Sequence, residues 1–277
     1  MTKTQMTGAN RLAGAACGTL LATLLAVPAA AADRPTDKDV KQLIEQVNND
    51  RDRFEDQLDG KLKRSIIRGP GGEVNVERYL DDLQDNVNKL KERFTSPYAA
   101  SAEVTTVLRQ GSDIQGYMAT LPPNFDGASE WNRLSGSLRN LAAAYTTTFP
   151  IPAGQQARRM NDTEVKKAAE ELGKSADRYK KELDSSLKKD KTIDKATRDA
   201  AVQSADGLKQ DAQKVASAIG DGRPASGEAQ ALLQRATALR GSASGRALSP
   251  AAQTAWGSVE GGLDKLGQAF GLPARLP

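Results

Sequence analysis

The sequence feature that most constrains the fold is a long internal repeat. The chain has two tryptophans, and Trp256 lies 125 residues after Trp131. The same offset aligns the segment "DRFEDQLDGKLK" with "DRYKKELDSSLK", which pairs Phe54 with Tyr179. About 24 of about 117 residue pairs are identical at this offset without a gap, roughly three times the number expected by chance. The sequence therefore predicts a tandem duplication of one unit of about 120 residues.

Apolar residues within each unit recur at the spacing i, i+3, i+4, i+7 that is typical of amphipathic helices. Four such stripes occur in the first unit, and they begin at Val40, Val76, Val104 and Trp131. Four helices with short connections pack most simply as an up-down bundle around one core. We therefore predict an all-α fold of two tandem up-down four-helix bundles.

Four aromatic residues serve as markers of the predicted cores. Trp131 and Trp256 each begin an apolar stripe, while Phe54 and Tyr179 lie within one. An exposed aromatic pair that binds a sugar or the edge of a lipid is the alternative interpretation. The helical spacing favours core residues at equivalent positions of the two units.

Glycine and proline divide the predicted elements from one another. The segment "FPIPAGQQ" separates the two units, and its prolines leave both a hinged and a docked arrangement open. The predicted organisation is a leader over residues 1–32, a first unit over 33–148, a linker over 149–160 and a second unit over 161–277.

Helix starts carry recognisable capping sequences. "TDKD" from Thr36 and "NDTE" from Asn161 have the spacing of a capping box, and Ser249 precedes a proline suited to the first helical position. The first helix of each unit is predicted to be the longest, at roughly 30 residues and about 45 Å. In the first unit we expect this helix to bend or break near Asn48 and Asn49, or to overhang its shorter partners.

The N-terminal segment has the composition of an export signal. Lys3 and Arg11 precede an apolar run, and the tract that ends at Ala32 matches a cleavage site. We expect an exported protein, periplasmic or secreted after cleavage near Ala32. Retention of this segment as an anchor is the alternative. Cleavage also removes Cys17, the one cysteine, and with it any disulfide or thiolate chemistry.

The chain has no histidine, which excludes the most common general base and zinc ligand. We therefore predict no metal, no cofactor and no catalytic residue. A carboxylate-dependent hydrolase is the remaining enzymatic alternative, and the densest acids are Asp81, Asp82, Asp85, Glu170 and Glu171. Acids at this spacing usually form a solvated helix face, so an acid pair within one pocket would be needed to favour catalysis.

The segment "RSIIRGPGGEVNVERY" is the most unusual in the chain, because its partner at the 125-residue offset lacks every glycine and proline. One interpretation is a turn between helices; the other is a recognition loop that is presented by the first unit alone. A phosphate-binding loop is excluded, since no Gly-Lys-Ser/Thr ending follows. The candidate interaction residues are Ile66, Ile67, Arg68, Gly69, Pro70, Gly71, Gly72 and Glu73.

Charge differs between the halves. Residues 33–152 carry 16 basic and 19 acidic residues, while residues 153–277 carry 21 and 16. The excess of basic over acidic residues in the second unit suggests an alternative function, in which this unit associates with a polyanion or anionic lipid in a salt-sensitive manner. We expect no specific nucleic-acid partner.

The stretches "DVKQLIEQVNNDRDRFEDQLDGKLKRSIIRGPGGEVNVERYLDDLQDNV" and "ASAEVTTVLRQGSDIQ" resemble a group of exported bacterial proteins that carry no assigned activity. This resemblance implies export and a bacterial envelope setting, and it transfers no functional residue. The sequence is therefore interpreted as a non-enzymatic binding or scaffolding protein of the cell envelope. Its partner would be an envelope protein or polymer, bound at the candidate loop or in a groove between the units.

Overall fold

The computed structural model describes residues 33–69, 72–243 and 248–272. The predicted leader with its cleavage site near Ala32, Pro70 and Gly71 of the candidate loop, and residues 273–277 lie outside these ranges. The expectation of a mainly helical fold is confirmed, since nine helices and one two-stranded sheet form the secondary structure of the described part. None of these nine helices is both long and apolar enough to cross a membrane.

The first half of the chain, residues 33–148, contains five of these helices and both strands. In chain order they are α1 (Asp37–Gln57), α2 (Gly60–Arg64), β1 (Ile66–Gly69), β2 (Gly72–Asn75), α3 (Val76–Arg93), α4 (Ser101–Met118) and α5 (Ala128–Ala144). Helix α1 packs against α3 and α5, and α4 packs against the same two helices. The four long helices therefore form a closed ring of neighbours.

The second half, residues 161–277, contains the other four helices. They are α6 (Asp162–Lys189), α7 (Lys195–Gly220), α8 (Ser226–Ala243) and α9 (Pro250–Phe270). Helix α6 packs against α7 and α9, and α8 contacts these same helices. The order of neighbours is thus the same in both halves.

Each ring encloses its own apolar cluster. In the first half, Phe54 meets Trp131 with ring centroids 5.4 Å apart. In the second half, Tyr179 meets Trp256 at 5.0 Å, and both pairs have an interplanar angle of 54°. Trp131, Phe54 and Tyr179 are buried, whereas Trp256 is half-buried and packs against the edge of its cluster. Tilted aromatic pairs of this kind contribute about 0.5–1.5 kcal/mol beyond their buried area.

The helix starts follow the capping sequences. Thr36 and Asp39 form a capping box at α1, and Asn161 and Glu164 form one at α6. At α9, the Ser249 hydroxyl accepts a hydrogen bond from the third helical residue, and proline occupies the first helical position. These side chains satisfy main-chain N–H groups that the helix itself leaves free.

The first helix differs from the expectation in where it breaks. It continues through Asn48 and Asn49 and ends at Gln57, after which Leu58 is extended. The carboxylate of Asp59 then accepts hydrogen bonds from the N–H groups of Lys61 and Leu62, both at 2.7 Å, and begins α2. The break arises because Asp59 caps a new helix, whereas α6 runs unbroken for 28 residues.

The connecting segment, residues 149–160, is docked on the first half. Phe149, Ile151 and Ala157 belong to the first apolar cluster. The N–H of Ile151 donates to the Ser112 hydroxyl at 3.0 Å, and the N–H of Ala157 donates to the Thr105 hydroxyl at 2.9 Å. Buried apolar contacts and paired main-chain groups hold this segment in place.

The N-termini of α1 and α6 meet at a contact that we call the reciprocal junction, formed by Arg34, Asp37, Arg159 and Asp162. The N–H of Asp37 donates to the Asp162 carboxylate at 2.8 Å, and the N–H of Asp162 donates to the Asp37 carboxylate at 2.9 Å. A carboxylate at a helix N-terminus is favourable because the helix dipole is positive there. Each half therefore caps the first helix of the other.

The two arginines complete the reciprocal junction in matching ways. Arg34 donates from Nη1 to Asp162 at 2.6 Å and from Nη2 to the carbonyl of Met160 at 2.5 Å. Arg159 donates from Nη2 to Asp37 at 2.9 Å and to the carbonyl of Pro35 at 2.8 Å. Arg34 and Arg159 are 125 residues apart, as are the other members of the two sets.

Candidate functional site

The candidate loop of the sequence analysis forms an antiparallel β-hairpin, not a simple turn between helices. Ile66 pairs with Asn75, Ile67 with Val74, Arg68 with Glu73 and Gly69 with Gly72. Gly72 has a φ of 107°, a left-handed conformation that favours glycine. Pro70 and Gly71, which connect the strands, lie outside the described residues.

The hairpin presents different side chains on its two faces. Ile67 is 2% exposed and packs in the first apolar cluster. Ile66 is 54% exposed and, with Tyr98 at 38%, is one of two exposed large apolar side chains among the described residues. Arg68 and Glu73 form an ion pair at 2.7 Å that is largely in solvent and adds little stability. The hairpin is therefore anchored by Ile67 and exposes Ile66.

The hydrogen bonds of the hairpin determine which main-chain groups face outward. The N–H of Val76 donates to the carbonyl of Ser65 at 2.9 Å, so residues 65 and 76 form a hydrogen-bonded pair. In an antiparallel ladder such pairs alternate with pairs that are not hydrogen-bonded. The N–H and C=O groups of Ile66 and Arg68 consequently point away from β2, toward the outer edge of β1.

A cavity of about 580 Å³, which we call the β1 groove, lies between β1 and helix α4. Its lining residues are Ile66, Ile67, Arg68, Ser112, Asp113, Gly116, Tyr117 and Thr120. A Cβ atom added to Gly116 would meet no atom within 4 Å. The α4 wall of the groove is thus formed partly by small residues and leaves open space beside the strand.

A second cavity of about 460 Å³, the Tyr79 cavity, lies between α3 and α4 next to β2. Its lining residues are Gly72, Val74, Arg78, Tyr79, Asp82, Thr106, Arg109, Gln110 and Asp113. The hydroxyl of Tyr79 donates to Asp113 at 2.6 Å. Burial, and then the hydrogen bond to Asp113, raise the pKa of Tyr79 above its ordinary value, so this phenol stays protonated.

The predicted acidic candidates are separated by the fold. Asp81, Asp85, Glu170 and Glu171 are exposed on helix surfaces. Asp82 is also exposed, but it lines the Tyr79 cavity together with Asp113. Asp113 is not among the predicted acidic candidates. The sequence does distinguish it, because Tyr79 and Asp113 align at the 125-residue offset with a serine and an alanine, so the pair is specific to the first half.

Among its described residues, 161–243 and 248–272, the second half has no counterpart of the hairpin. The residues that align with β1 and β2 are 191–194 and 197–200. The first of these ranges lies in the connection before α7, and the second lies inside α7, which begins at Lys195. The first half therefore forms a hairpin from residues whose aligned counterparts form a connection and the start of α7.

Several cations of the basic second half are paired with acids. Lys180 contacts Asp206 at 2.6 Å, and Lys209 contacts Asp177 at 2.8 Å, both between α6 and α7. Hydrogen bonds from Lys181 and then Lys209 lower the pKa of Asp177 to about 2. A polyanion that binds at this face has to compete with these carboxylates.

Two cavities of about 610 and 620 Å³ lie at the contact between the halves. Arg34 and Phe270 line the first, Arg159 lines the second, and Ala144 and Ala269 line both. Ala144 and Ala269 are themselves 125 residues apart. The two cavities therefore lie at equivalent positions of the two halves, whereas the hairpin has no such equivalent among the described residues.

Comparison with known proteins found no match: no family model fits the chain, and no curated protein or solved structure is significantly similar to it. Within the described ranges, no group of three or more acidic, cysteine or histidine side chains is arranged to hold a metal ion.

Proposed function

We propose that this chain is an exported, non-enzymatic binding or scaffolding protein of the bacterial cell envelope, and that it binds its partner through the β1–β2 hairpin. The leader-like composition of residues 1–32 and the resemblance to exported bacterial proteins support the location. The partner is an envelope protein or polymer. Ile66 forms the apolar centre of the binding surface, and the β1 groove lies beside it.

The single observation that carries this proposal is that the hairpin in the first half has no equivalent at the aligned positions of the second half. A structural element that packs four helices is expected in both halves, yet in the part of the chain that the structure describes the hairpin occurs only in the first half. It exposes an isoleucine that could have been polar without any loss of core packing, because Ile67 already fills the core. Exposed apolar residues beside a groove are typical of interaction sites.

We also infer that the two halves are tandem copies of one up-down four-helix bundle. The offset of 125 residues relates the aromatic pairs Phe54–Trp131 and Tyr179–Trp256 and the two capping boxes. It also relates both sets of contacts at the reciprocal junction. A self-complementary contact of this kind is characteristic of two-fold dimers, which supports an origin by fusion of two identical subunits.

The proposal is tested by capture with a matched pair of variants. Tagged wild-type protein, Ile66→Ser and Tyr98→Ser are each incubated with the solubilised envelope fraction of the source bacterium, and retained components are quantified by mass spectrometry. Burying the exposed part of Ile66 is worth about 1 kcal/mol, so Ile66→Ser should reduce capture of the partner about fivefold. Tyr98→Ser removes the other exposed large apolar side chain and should leave capture unchanged. Equal retention by wild type and Ile66→Ser would overturn the proposal.

A specific observation also supports the hydrolase alternative, because Asp82 and Asp113 line one cavity. That function requires one carboxylate to act as acid and the other as base or nucleophile. Asp82→Asn would then abolish hydrolysis of an envelope substrate and leave capture through Ile66 intact, because Asp82 does not line the β1 groove. Wild-type protein without hydrolytic activity toward isolated envelope polymers removes this alternative.

For the polyanion alternative, the expected signature is binding that weakens steeply as salt is raised. Salt-independent capture, together with sensitivity to Ile66→Ser, favours the hairpin. The carboxylates that pair with Lys180 and Lys209 support this preference.

A further inference from the structure

The outer edge of β1 has main-chain groups that are available for pairing. The N–H and C=O groups of Ile66 and Arg68 point away from β2, and among the described residues no main-chain group outside the hairpin forms a hydrogen bond with any of these four groups. An unpaired strand edge binds other extended chains readily unless it is blocked by proline, a bulge or a covering element. The β1 groove, a cavity of about 580 Å³ with α4 as its other wall, lies beside this strand.

We propose that the edge of β1 binds an extended peptide as a third, antiparallel strand, and that this peptide carries an acidic, a small and an aliphatic residue in that order. The inference rests on the proposed binding function of the hairpin and specifies its partner as a protein segment. Antiparallel pairing is the more stable arrangement per residue, which matters for a strand of four residues. Such a strand spans about 13 Å, so the recognised segment is short.

The side chains of β1 determine what each position of the peptide requires. Residues directly opposite each other in a sheet lie on the same face and contact one another. The peptide residue opposite Ile66 therefore lies on the outer face beside a half-exposed isoleucine, where an aliphatic side chain buries the most apolar area.

The residue opposite Arg68 lies on the same outer face and meets a guanidinium. Glu73 accepts a hydrogen bond from Nε of Arg68, and no described residue forms a hydrogen bond with either Nη atom, so both can bind a second carboxylate. The preceding helix α2 adds Lys61, Lys63 and Arg64 close in sequence. This basic segment stands out within a half of the chain that carries more acids than bases, and its charge complements an acidic residue.

The residue opposite Ile67 points the other way, toward helix α4. The wall there contains Ser112 and Gly116, and β1 packs close to α4, so a small side chain fits. Asp113 lines the same wall and disfavours a carboxylate at this position. The acidic residue therefore belongs opposite Arg68, which fixes the register of the peptide.

The first test titrates the peptide acetyl-Thr-Glu-Ala-Val-Thr-amide into the ¹⁵N-labelled protein and follows the amide resonances. In the proposed register, valine faces Ile66 and glutamate faces Arg68. Their N–H groups then bond to β1, whereas the N–H of the central alanine points away. We expect chemical-shift changes concentrated at the amides of Ile66 and Arg68, with slower hydrogen exchange at both.

N-methylated peptides isolate the main-chain hydrogen bonds while the protein stays wild type. Methylation of the valine amide removes a hydrogen bond to β1 and should weaken binding about tenfold, whereas methylation of the alanine amide should change it less than about threefold. Equal affinities for these two peptides would overturn strand pairing. Equal binding of the reversed peptide acetyl-Thr-Val-Ala-Glu-Thr-amide would overturn the antiparallel order.

A pair of protein variants tests the same main-chain hydrogen bonds from the side of β1. Arg68→Ala keeps the outward N–H, and Arg68→Pro removes it without touching the bonds between β1 and β2. With helicity and melting temperature shown to be intact, Arg68→Pro should bind the peptide about tenfold more weakly than Arg68→Ala. Equal binding by the two variants would contradict the inference.

Failure of this inference is distinguishable from failure of the proposed function. If Ile66→Ser abolishes capture while the peptide leaves the β1 amides unchanged, the hairpin binds its partner by another mode and strand pairing is wrong. If the peptide pairs with β1 while capture is insensitive to Ile66→Ser, the edge binds peptides but is not the site of envelope binding.

Discussion

Replacing Arg159 by alanine tests the reciprocal junction at its most buried side chain. Arg159 is 2% exposed and donates to the Asp37 carboxylate and to the carbonyl of Pro35. Its Nη1 also donates to the carbonyl of Ala144 at 3.4 Å. The substitution removes all of these bonds and leaves the carboxylate without its cation.

The expected cost follows from the burial of the two partners. Removing one member of a buried ion pair costs about 3–5 kcal/mol, because the other charge stays uncompensated. Asp37 is 17% exposed and keeps its hydrogen bond from the N–H of Asp162. The Nε of Arg159 also has no hydrogen-bond partner among the described residues, so the pair is not fully satisfied. We therefore expect the lower end of the range, about 3 kcal/mol.

Urea unfolding followed by circular dichroism measures this loss. If the free energy of unfolding falls by about 3 kcal/mol per molar urea, the midpoint of the unfolding transition should fall by about 1 M urea. Arg223→Ala is the matched control, since Arg223 is 57% exposed and pairs with an Asp221 that is 63% exposed. That substitution should cost less than about 1 kcal/mol. If Arg159→Ala costs no more than Arg223→Ala, the reciprocal junction does not stabilise the fold.

Two further predictions concern the docked connecting segment and the charged surface. A Cβ on Gly111 would lie 2.7 Å from Cδ1 of Leu138 and 2.9 Å from the Phe149 ring, so Gly111→Ala should destabilise the protein by about 1–3 kcal/mol in urea unfolding. In a Phe149→Ala background the loss should shrink only in part, because the contact with Leu138 remains, and an unchanged loss would contradict docking. Because the folded-state pKa of Asp177 is lowered to about 2, its stabilising effect is complete above about pH 4 and is lost as the pH falls toward 2. Asp177→Asn should therefore flatten the fall in melting temperature over that window, whereas the exposed control Glu171→Gln should not, and equal slopes would refute the assignment.

The helices and their caps could be predicted from the sequence because local patterns determine them. Thr36, Asn161 and Ser249 cap helices as their short-range spacing indicated. The predicted position of the break in the first helix is wrong. The prediction came from the paired Asn48 and Asn49, but α1 continues through both residues. The break occurs at Asp59, ten residues after Asn49, where this side chain caps α2.

The sequence indicated residues 66–73 as a candidate site, but it did not predict that they form a β-hairpin. Alternating apolar residues on both sides of a glycine-rich turn are a hairpin signal, and the strong helical pattern elsewhere favoured a turn. The hydrogen bond between Tyr79 and Asp113 joins two helices, and the contact between Asp37 and Asp162 joins the two halves. Such contacts depend on how helices pack, which a single sequence does not specify.

The central claim is that the hairpin of the first half binds the partner, and a chimera tests it most directly. Residues 65–76 are replaced by the aligned sequence of residues 190–201, which has the same length and connects two helices in the second half. We expect the chimera to keep wild-type helical content and to capture the envelope partner at least about fivefold less than the wild-type protein. A folded chimera that captures the partner as well as the wild-type protein would show that the hairpin is not the binding site.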